Sequence, residues 1–448
     1  MADLKTAAYE RIAGLLDSGS FVEIGACVTG RNAAGLADSV NDGDGVVTGY
    51  GTIDGRLVYV YAQNPGVFGG SIGEMHARKI SSVYNMAINM GAPVLAVIDC
   101  AGVRVNEGND SLYSFGKLFS HQAKASGVIP QIAVVYGNCG GGMAVSASMS
   151  DFVFMEESAK LYLNSPDAVK GNYTEKCDSS SAKFQAEKTG ICDFYGKAEA
   201  VAEKVRELVS ILPQNNEEDS SADITDDDLN RSVSGIESLK TKAEMLQQIS
   251  DNGKFVEIRK DHAKCIVTGF IRLNGRTVGA VANEGQKICH LGAKKAIKFI
   301  SFCDAFGIPV LTLCDIEKFC ADMDNEVQLA RALGKLTYTY SNATVPTVTL
   351  VTGKAYGTAG IVMGSKALGT DLVFAYPDAK MGLMDKAQMD SLTDINQEKD
   401  VYSAMYNAQR GYVDDIILPE ESRQRLVAAF EMLYSKSVMI PAKKHGTV

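Results

Sequence analysis

The chain contains no run of eighteen apolar residues, no C-x-x-C pair and no surplus of basic side chains. The first absence excludes a helix that spans a membrane, so any membrane role falls to a partner. The second leaves ten scattered cysteines without a metal or redox motif, and Cys314 and Cys320 read as structural thiols. The opening residues Met1-Ala2-Asp3-Leu4-Lys5 hold no apolar signal core, so a reduced cytoplasm is the expected compartment. With 44 Lys and Arg against 54 Asp and Glu, the net charge of -10 argues against nucleic acid as a partner. Neither a Gly-x-Gly-x-x-Gly turn of dinucleotide-binding spacing nor a phosphate-loop lysine is present. What is present is 448 residues with 46% apolar content, enough for two globular domains that each bury a core.

Those two domains repeat one another at an offset of 216 to 220 residues. Val47-Thr48-Gly49 and Asp54-Gly55-Arg56 return as Val267-Thr268-Gly269 and Asn274-Gly275-Arg276, with seven identities over the sixteen positions from Val47 to Ala62. Gly91 through Asp99 answers to Gly307 through Asp315, Pro130 through Gly137 to Pro346 through Gly353, and Asp151 through Phe154 to Asp371 through Phe374. The period is too long for a solenoid, which leaves duplication of a whole domain. Between the repeats, Glu217 to Asp228 holds seven acids and no Lys or Arg, the composition of a solvated linker. The expected domains are 1–233, with the linker at its end, and 234–448.

Within each half, short apolar strands alternate with helical periodicity. Val46 to Ala62 reads as a hairpin turned at Asp54-Gly55, Glu74 to Asn89 as a helix, Pro93 to Ile98 and Ile132 to Tyr136 as buried strands, and Met143 to Met149 as a helix. The class is α/β with parallel strand pairing. After each second buried strand comes a glycine-rich turn, Gly137-Asn138-Cys139-Gly140-Gly141-Gly142-Met143 in one half and Gly353-Lys354-Ala355-Tyr356-Gly357-Thr358-Ala359 in the other. Glycine lets the backbone approach a ligand, and the unpaired amides opening the next helix favour negative charge. Two matched oxyanion holes are the expected chemistry.

The stretches Val67-Phe68-Gly69-Gly70-Ser71-Ile72-Gly73-Glu74, Phe302-Cys303-Asp304-Ala305-Phe306-Gly307-Ile308-Pro309, Ala355-Tyr356-Gly357 and Arg410-Gly411-Tyr412-Val413-Asp414-Asp415 carry a resemblance over nearly the whole chain. The sequence resembles the carboxyltransferase subunits of biotin-dependent acyl-CoA carboxylases and decarboxylases, which are built from two tandem crotonase-like (ClpP/crotonase) domains. The resemblance implies that the first turn holds the thioester oxygen of acyl-CoA through Gly141 and Gly142, with Gly140 and Val103 beside the substrate. It implies that the second turn holds the ureido oxygen of biotin through Thr358 and Ala359, with Tyr356 and Gly357 bordering the cofactor and Ile361 bordering the acyl tail. Transfer of CO2 then passes through an enolate, and each donor in such a hole lowers the barrier by about 2.7–4 kcal/mol.

The resemblance also implies a homo-oligomer, a hexamer built as a trimer of dimers, with each site formed where the N-terminal half of one subunit meets the C-terminal half of another. No Met-Lys-Met biotin-attachment sequence occurs, so biotin is expected on a separate carrier protein, with a biotin carboxylase or a membrane decarboxylase subunit as further partner. No metal is expected. The positions where crotonase-like hydratases carry a catalytic Glu are Ala144 and Gly360, which removes an acid/base from water addition.

The chain departs from the family's pattern at Asp315 to Asp322, where a Pro-Gly-Phe loop is usual near biotin, and at Thr358, where glycine is usual. Two other readings therefore stand beside the first: a biotin-independent crotonase-like acyl-CoA lyase or hydratase using Asp385, and a non-catalytic assembly scaffold. Asp385 and Asp167 read in isolation as surface or cap residues, His76 and His121 as packing or interface residues. Arg104, Lys79, Lys294 and Lys295 are candidates for CoA phosphates or solvated surface cations.

Overall fold

In the first half, α1 (Ala7–Leu15) and β1 (Val22–Glu23) lead into a hairpin of β2 (Val46–Ile53) and β3 (Arg56–Gln63). Asp54 and Gly55 between them take φ of 50° and 76°, the left-handed pair that a tight primed turn requires. Then follow α2 (Glu74–Met90), β4 (Val94–Cys100), α3 (Asn109–Ala125), β5 (Gln131–Gly140), α4 (Gly142–Met149), β6 (Phe152–Glu156), β7 (Lys160–Tyr162), β8 (Phe194–Gly196) and α5 (Ala198–Ile211). The computed structural model describes residues 7–30, 43–170, 177–218, 225–392, 400–441 and 446. It divides the chain into two units, Met1–Glu218 and Asp219–Val448.

The first unit is one sheet in the order β1-β2-β3-β4-β5-β6-β8, with β7 pairing to the far end of β5. Its first three strands are antiparallel and the rest parallel, because helices rather than tight turns connect them. The spacing of Ala77, Ile80, Val83, Tyr84 and Ala87 puts one face of α2 onto the sheet, and all five are buried. The helix stops at Gly91, which takes the left-handed φ of 62°.

The second unit repeats the plan with α6 (Lys242–Ile249), β9 (Phe255–Ile258), β10 (Ile266–Leu273), β11 (Arg276–Asn283), β12 (Gln286–Ile288), α7 (His290–Ala305), β13 (Val310–Phe319), α8 (Met323–Asn342), β14 (Thr347–Tyr356), α9 (Gly357–Val362), β15 (Leu372–Ala375), β16 (Lys380–Gly382), β17 (Asp415–Ile416) and α10 (Ser422–Leu433). Its sheet runs β17-β15-β14-β13-β11-β10-β9, with β12 on β13 and β16 on β14. Asn274 and Gly275 turn its hairpin with φ of 53° and 73°.

The structure differs from the sequence reading at the boundary. Of the acidic run, residues 219–224 lie outside the described ones, but Asp227 and Asp228 are built into the second unit instead of a solvated linker. Asp227 accepts from Arg231 at 2.9 Å and from the Asn252 amide at 2.8 Å, and the Asp228 carbonyl accepts from Arg423 at 3.2 Å. Arg423 is fully buried, and its charge is met by the carboxylates of Asp251 at 2.7 Å and Asp227 at 3.4 Å. Among the described residues no helix is long and apolar enough to cross a membrane.

Candidate functional site

Both units break their strand register at the same place. The pairing of β4 with β5 shifts between Ile98 and Cys100, and that of β13 with β14 between Cys314 and Ile316. The residue inside each irregularity is an aspartate, Asp99 or Asp315. Asp99 receives the Asn138 amide at 3.1 Å and Asp315 the Lys354 amide at 2.9 Å. Each also meets a cation from the unit's leading helix, Arg11 at 2.9 Å and Lys242 at 3.6 Å. The carboxylates fill the space that a Cβ on Gly137 or Gly353 would occupy, which is why those positions are glycine. The aspartates therefore shape the turns that follow.

In the first turn, Gly141 takes φ 56° and ψ -122°, a conformation that strains any L side chain. A Cβ on Gly140 would meet the Tyr162 ring, and one on Gly142 would lie 2.9 Å from the Phe115 ring. The expectation for Gly141 needs correction: its amide is already engaged, donating to the Tyr162 carbonyl at 3.0 Å. The amides of Gly142 and Met143 open α4, where they have no carbonyl partner within the helix. The offset of 216 carries Thr358 and Ala359 back to Gly142 and Met143, so Met143 is the position of the first turn that matches Ala359.

Val103, expected from the resemblance beside the substrate, bridges Ile72. Its neighbours are fixed, with the Ile72 amide donating to Gly102 and the Arg104 amide to Ile72, both at 2.9 Å, while the Val103 amide has no acceptor among the described residues. Cys100 and Cys139 lie opposite each other in register, so Val103 and Gly142, each three residues on, leave the same end of adjacent parallel strands. Ligands of parallel sheets collect at that end. Cys139, within the turn, is buried and its thiol is pushed well up, which excludes it as a nucleophile.

In the second unit, Tyr356 is buried, Gly357 takes φ 54°, and Thr358 is exposed. Thr358 and Ala359 lie in the first turn of α9, where amides have no carbonyl partner within the helix. Lys354 is held 3.0 Å from Glu317, which pulls that carboxyl below its usual range, with burial acting weakly the other way. Asp315 to Asp322, expected as a loop, continues β13 as far as Phe319 because Lys318 and Phe319 pair with β12, and Asp322 then caps α8 through the Asn325 amide at 2.9 Å. Phe319 opposite Ile288 repeats the bridge of Val103 opposite Ile72.

Beside each turn stand matched apolar side chains in water: Val145 and Ile361 are 40% and 42% exposed, Leu163 and Leu383 64% and 70%. Such an apolar rim around free amides suits a ligand with a polar oxygen and an apolar body.

The cation candidates resolve differently. Lys79 is buried against Asp44 at 3.3 Å and the Val46 carbonyl at 2.6 Å, and Lys295 donates to the carbonyls of Arg259, His262 and Ile266 at 2.8, 3.0 and 2.7 Å. Arg104 is buried, donating to the carbonyls of Asp44 and Ser71 at 2.7 Å and to Glu107 at 2.9 Å. None of these three is free for a phosphate. Lys294 is exposed and bonds Gln328 at 2.6 Å. His76 is a buried packing residue, its pKa pushed down to about 3 by burial and then by Arg104 and Lys79. His121 lines a cavity of about 410 Å³ between α2 and α3 together with Arg78 and Lys117. Asp385 caps a helix through the Gln388 amide at 3.1 Å, and Asp167 is exposed.

The chain is similar to known proteins along its whole length. A family model described as the carboxyl transferase domain matches residues 3–448. The propionyl-CoA carboxylase beta chain of Roseobacter denitrificans is 39% identical, over 99% of this chain and 94% of that one. The methylmalonyl-CoA decarboxylase subunit alpha of Propionigenium modestum is 37% identical over 99% and 93%. Among solved structures, the transcarboxylase 12S hexamer with hydrolysed methylmalonyl-coenzyme A superposes with a TM-score of 0.92 at 34% identity, covering 98% of this chain and 91% of that one. The α/β architecture is thus that of two tandem crotonase-like domains. Because the family match takes in both units, the chain belongs to the carboxyl transferase family.

Proposed function

We propose that the chain is the carboxyltransferase component of a biotin-dependent acyl-CoA carboxylase or decarboxylase, moving CO2 between carboxybiotin on a separate carrier protein and the α-carbon of a short-chain acyl-CoA. The observation that supports this reading most directly is the matched pair of turns, each with two adjacent helix-opening amides that have no carbonyl partner within their helix. Gly142, Met143 and Val103 are assigned to the thioester oxygen, where negative charge grows as the enolate forms. Thr358 and Ala359 are assigned to the ureido oxygen of biotin, with Tyr356 and Gly357 beside the ring system. Preorganised amides in a site that excludes water contribute most where charge develops, so no side-chain base is assigned.

The second turn fits biotin chemically: a polar acceptor is needed at Thr358 and Ala359, and the exposed Ile361 and Leu383 offer apolar cover for a ring. When bound, biotin supplies the nitrogen that carries CO2. The N-terminal unit is assigned to acyl-CoA and the C-terminal unit to biotin, and the working assembly is a hexamer in which one subunit's first unit faces another's second. The hydratase or lyase reading is disfavoured, because Ala144 and Gly360 stand where an acid/base would be and Asp385 is committed to a helix cap.

The test is to incubate the purified chain with malonyl-CoA or methylmalonyl-CoA, with and without free biotin, and follow CO2 release. Biotin-dependent release from one thioester is expected. Release that is indifferent to biotin would contradict the assignment.

A further inference from the structure

In the first unit, Arg104 fills the space between Gly45 and Gly73. A Cβ on Gly45 would lie 3.4 Å from its Nη2, and one on Gly73 would lie 2.6 Å from its Nη1. Gly45 precedes β2 and Gly73 is the N-cap of α2, so one guanidinium ties the entrance of the hairpin to the start of the first long helix. The repeat maps Gly45, Gly73 and Arg104 onto Cys265, Cys289 and Cys320. Where the first unit has one cation between two glycines, the second has three sulfurs.

Cys265 Sγ and Cys289 Sγ lie 3.1 Å apart, both are free thiols, and both are partly exposed. Cys289 is the N-cap of α7, and its sulfur accepts the Gly292 amide at 3.3 Å. Gly292 is glycine for the sake of this contact, since a Cβ there would lie 2.5 Å from Cys265 Sγ. The two thiols divide the labour of an exchange pair. Cys289 is lowered, because it accepts the Cys265 S–H and the α7 amides against a smaller opposing effect of burial, while Cys265 is raised. Cys320 lies within electrostatic reach of Cys289.

We propose that Cys265 and Cys289 form a dithiol redox site that a peroxide converts reversibly to a disulfide. The Cys289 thiolate attacks one oxygen of hydrogen peroxide, forming an S–O bond as the O–O bond breaks and hydroxide leaves to be protonated to water. The Cys265 thiol then gives up its proton and its sulfur attacks that of Cys289. The S–S bond forms, the S–O bond breaks and a second water departs, so two thiols are oxidised as one peroxide is reduced. Closure shortens the sulfur separation by only roughly 1 Å. The link would join the residue before β10 to the residue after Ile288, whose carbonyl holds the Cys320 amide at 3.0 Å, and so grips the end of β13 beside the second turn.

The test treats the reduced full-length chain with hydrogen peroxide and maps thiols and disulfides by mass spectrometry, with exposed Cys27 as the internal measure of oxidation. Loss of the two thiols at Cys265 and Cys289, a linked peptide joining them, and full recovery with dithiothreitol are expected. Cys265→Ser should leave a dimedone-reactive sulfenic acid at Cys289, and Cys289→Ser should leave Cys265 as a thiol. Both thiols remaining titratable once Cys27 is oxidised, or a bond from Cys289 to Cys320 instead, would overturn the assignment.

Discussion

Asp99 and Gly137 face each other on adjacent strands, and the aspartate carboxylate stands where a Cβ of Gly137 would be. Asp315 and Gly353 repeat the relationship in the second unit. Gly137→Ala should therefore expel the carboxylate from the Asn138 amide and from Arg11, lowering stability by about 1–3 kcal/mol and slowing biotin-dependent CO2 release at least tenfold. Asp99→Asn keeps an acceptor oxygen and should do less. Urea unfolding alongside the release assay measures both.

Gly142 occupies the first helical position of α4, where proline is tolerated because that amide has no partner inside the helix. Gly142→Pro should cut CO2 release by about 10²–10³, the loss that accompanies removal of one oxyanion donor, with its Cβ pressing on the Phe115 ring as that of alanine would. Gly142→Ala keeps the amide but presses on the Phe115 ring, and separates the two effects. Undiminished activity in the proline variant would remove Gly142 from the assigned hole.

Lys295 is 2% exposed and its ammonium holds three carbonyls. Lys295→Met should lower stability by about 1–3 kcal/mol through the carbonyls left unpaired, with the KM for acyl-CoA unchanged. A rise in KM without loss of stability would restore the phosphate role that the buried geometry excludes.

His76 is held neutral, its pKa pushed from 6.5 down to about 3 by burial, with Arg104 and Lys79 adding to the effect. The unfolded chain therefore binds a proton that the folded chain does not between those two values, and stability must fall as pH drops from 6.5 toward 3. Gln63 and Asp44 also face His76, and Asp44, raised by burial, works in the opposite sense at the acid end. His76→Gln should show a shallower acid-side decline than the parent when urea unfolding is compared at pH 7 and pH 5. Parallel declines would contradict the buried neutral imidazole.

The positions that sequence reasoning missed share a cause. Gly141 and Gly142 are indistinguishable along the chain, but only Gly141 meets the Tyr162 carbonyl, twenty-one residues on in β7. Lys79 and Lys295 look like surface helix lysines until the carbonyls of a preceding segment close over them. Cys265, Cys289 and Cys320 form no sequence motif because 24 and 31 residues separate them.

Duplication, the two hairpin turns, the amphipathic helices and the glycine-rich strand ends were determined by the order of residues alone, because backbone conformation and apolar periodicity act over a few neighbours. Which amides stay free, which cations are buried and which thiols touch were decided only by the tertiary structure. A hydrogen-bonding group is satisfied or left open by whatever the fold brings within about 3 Å of it, and in this chain those partners come from strands and helices distant in sequence.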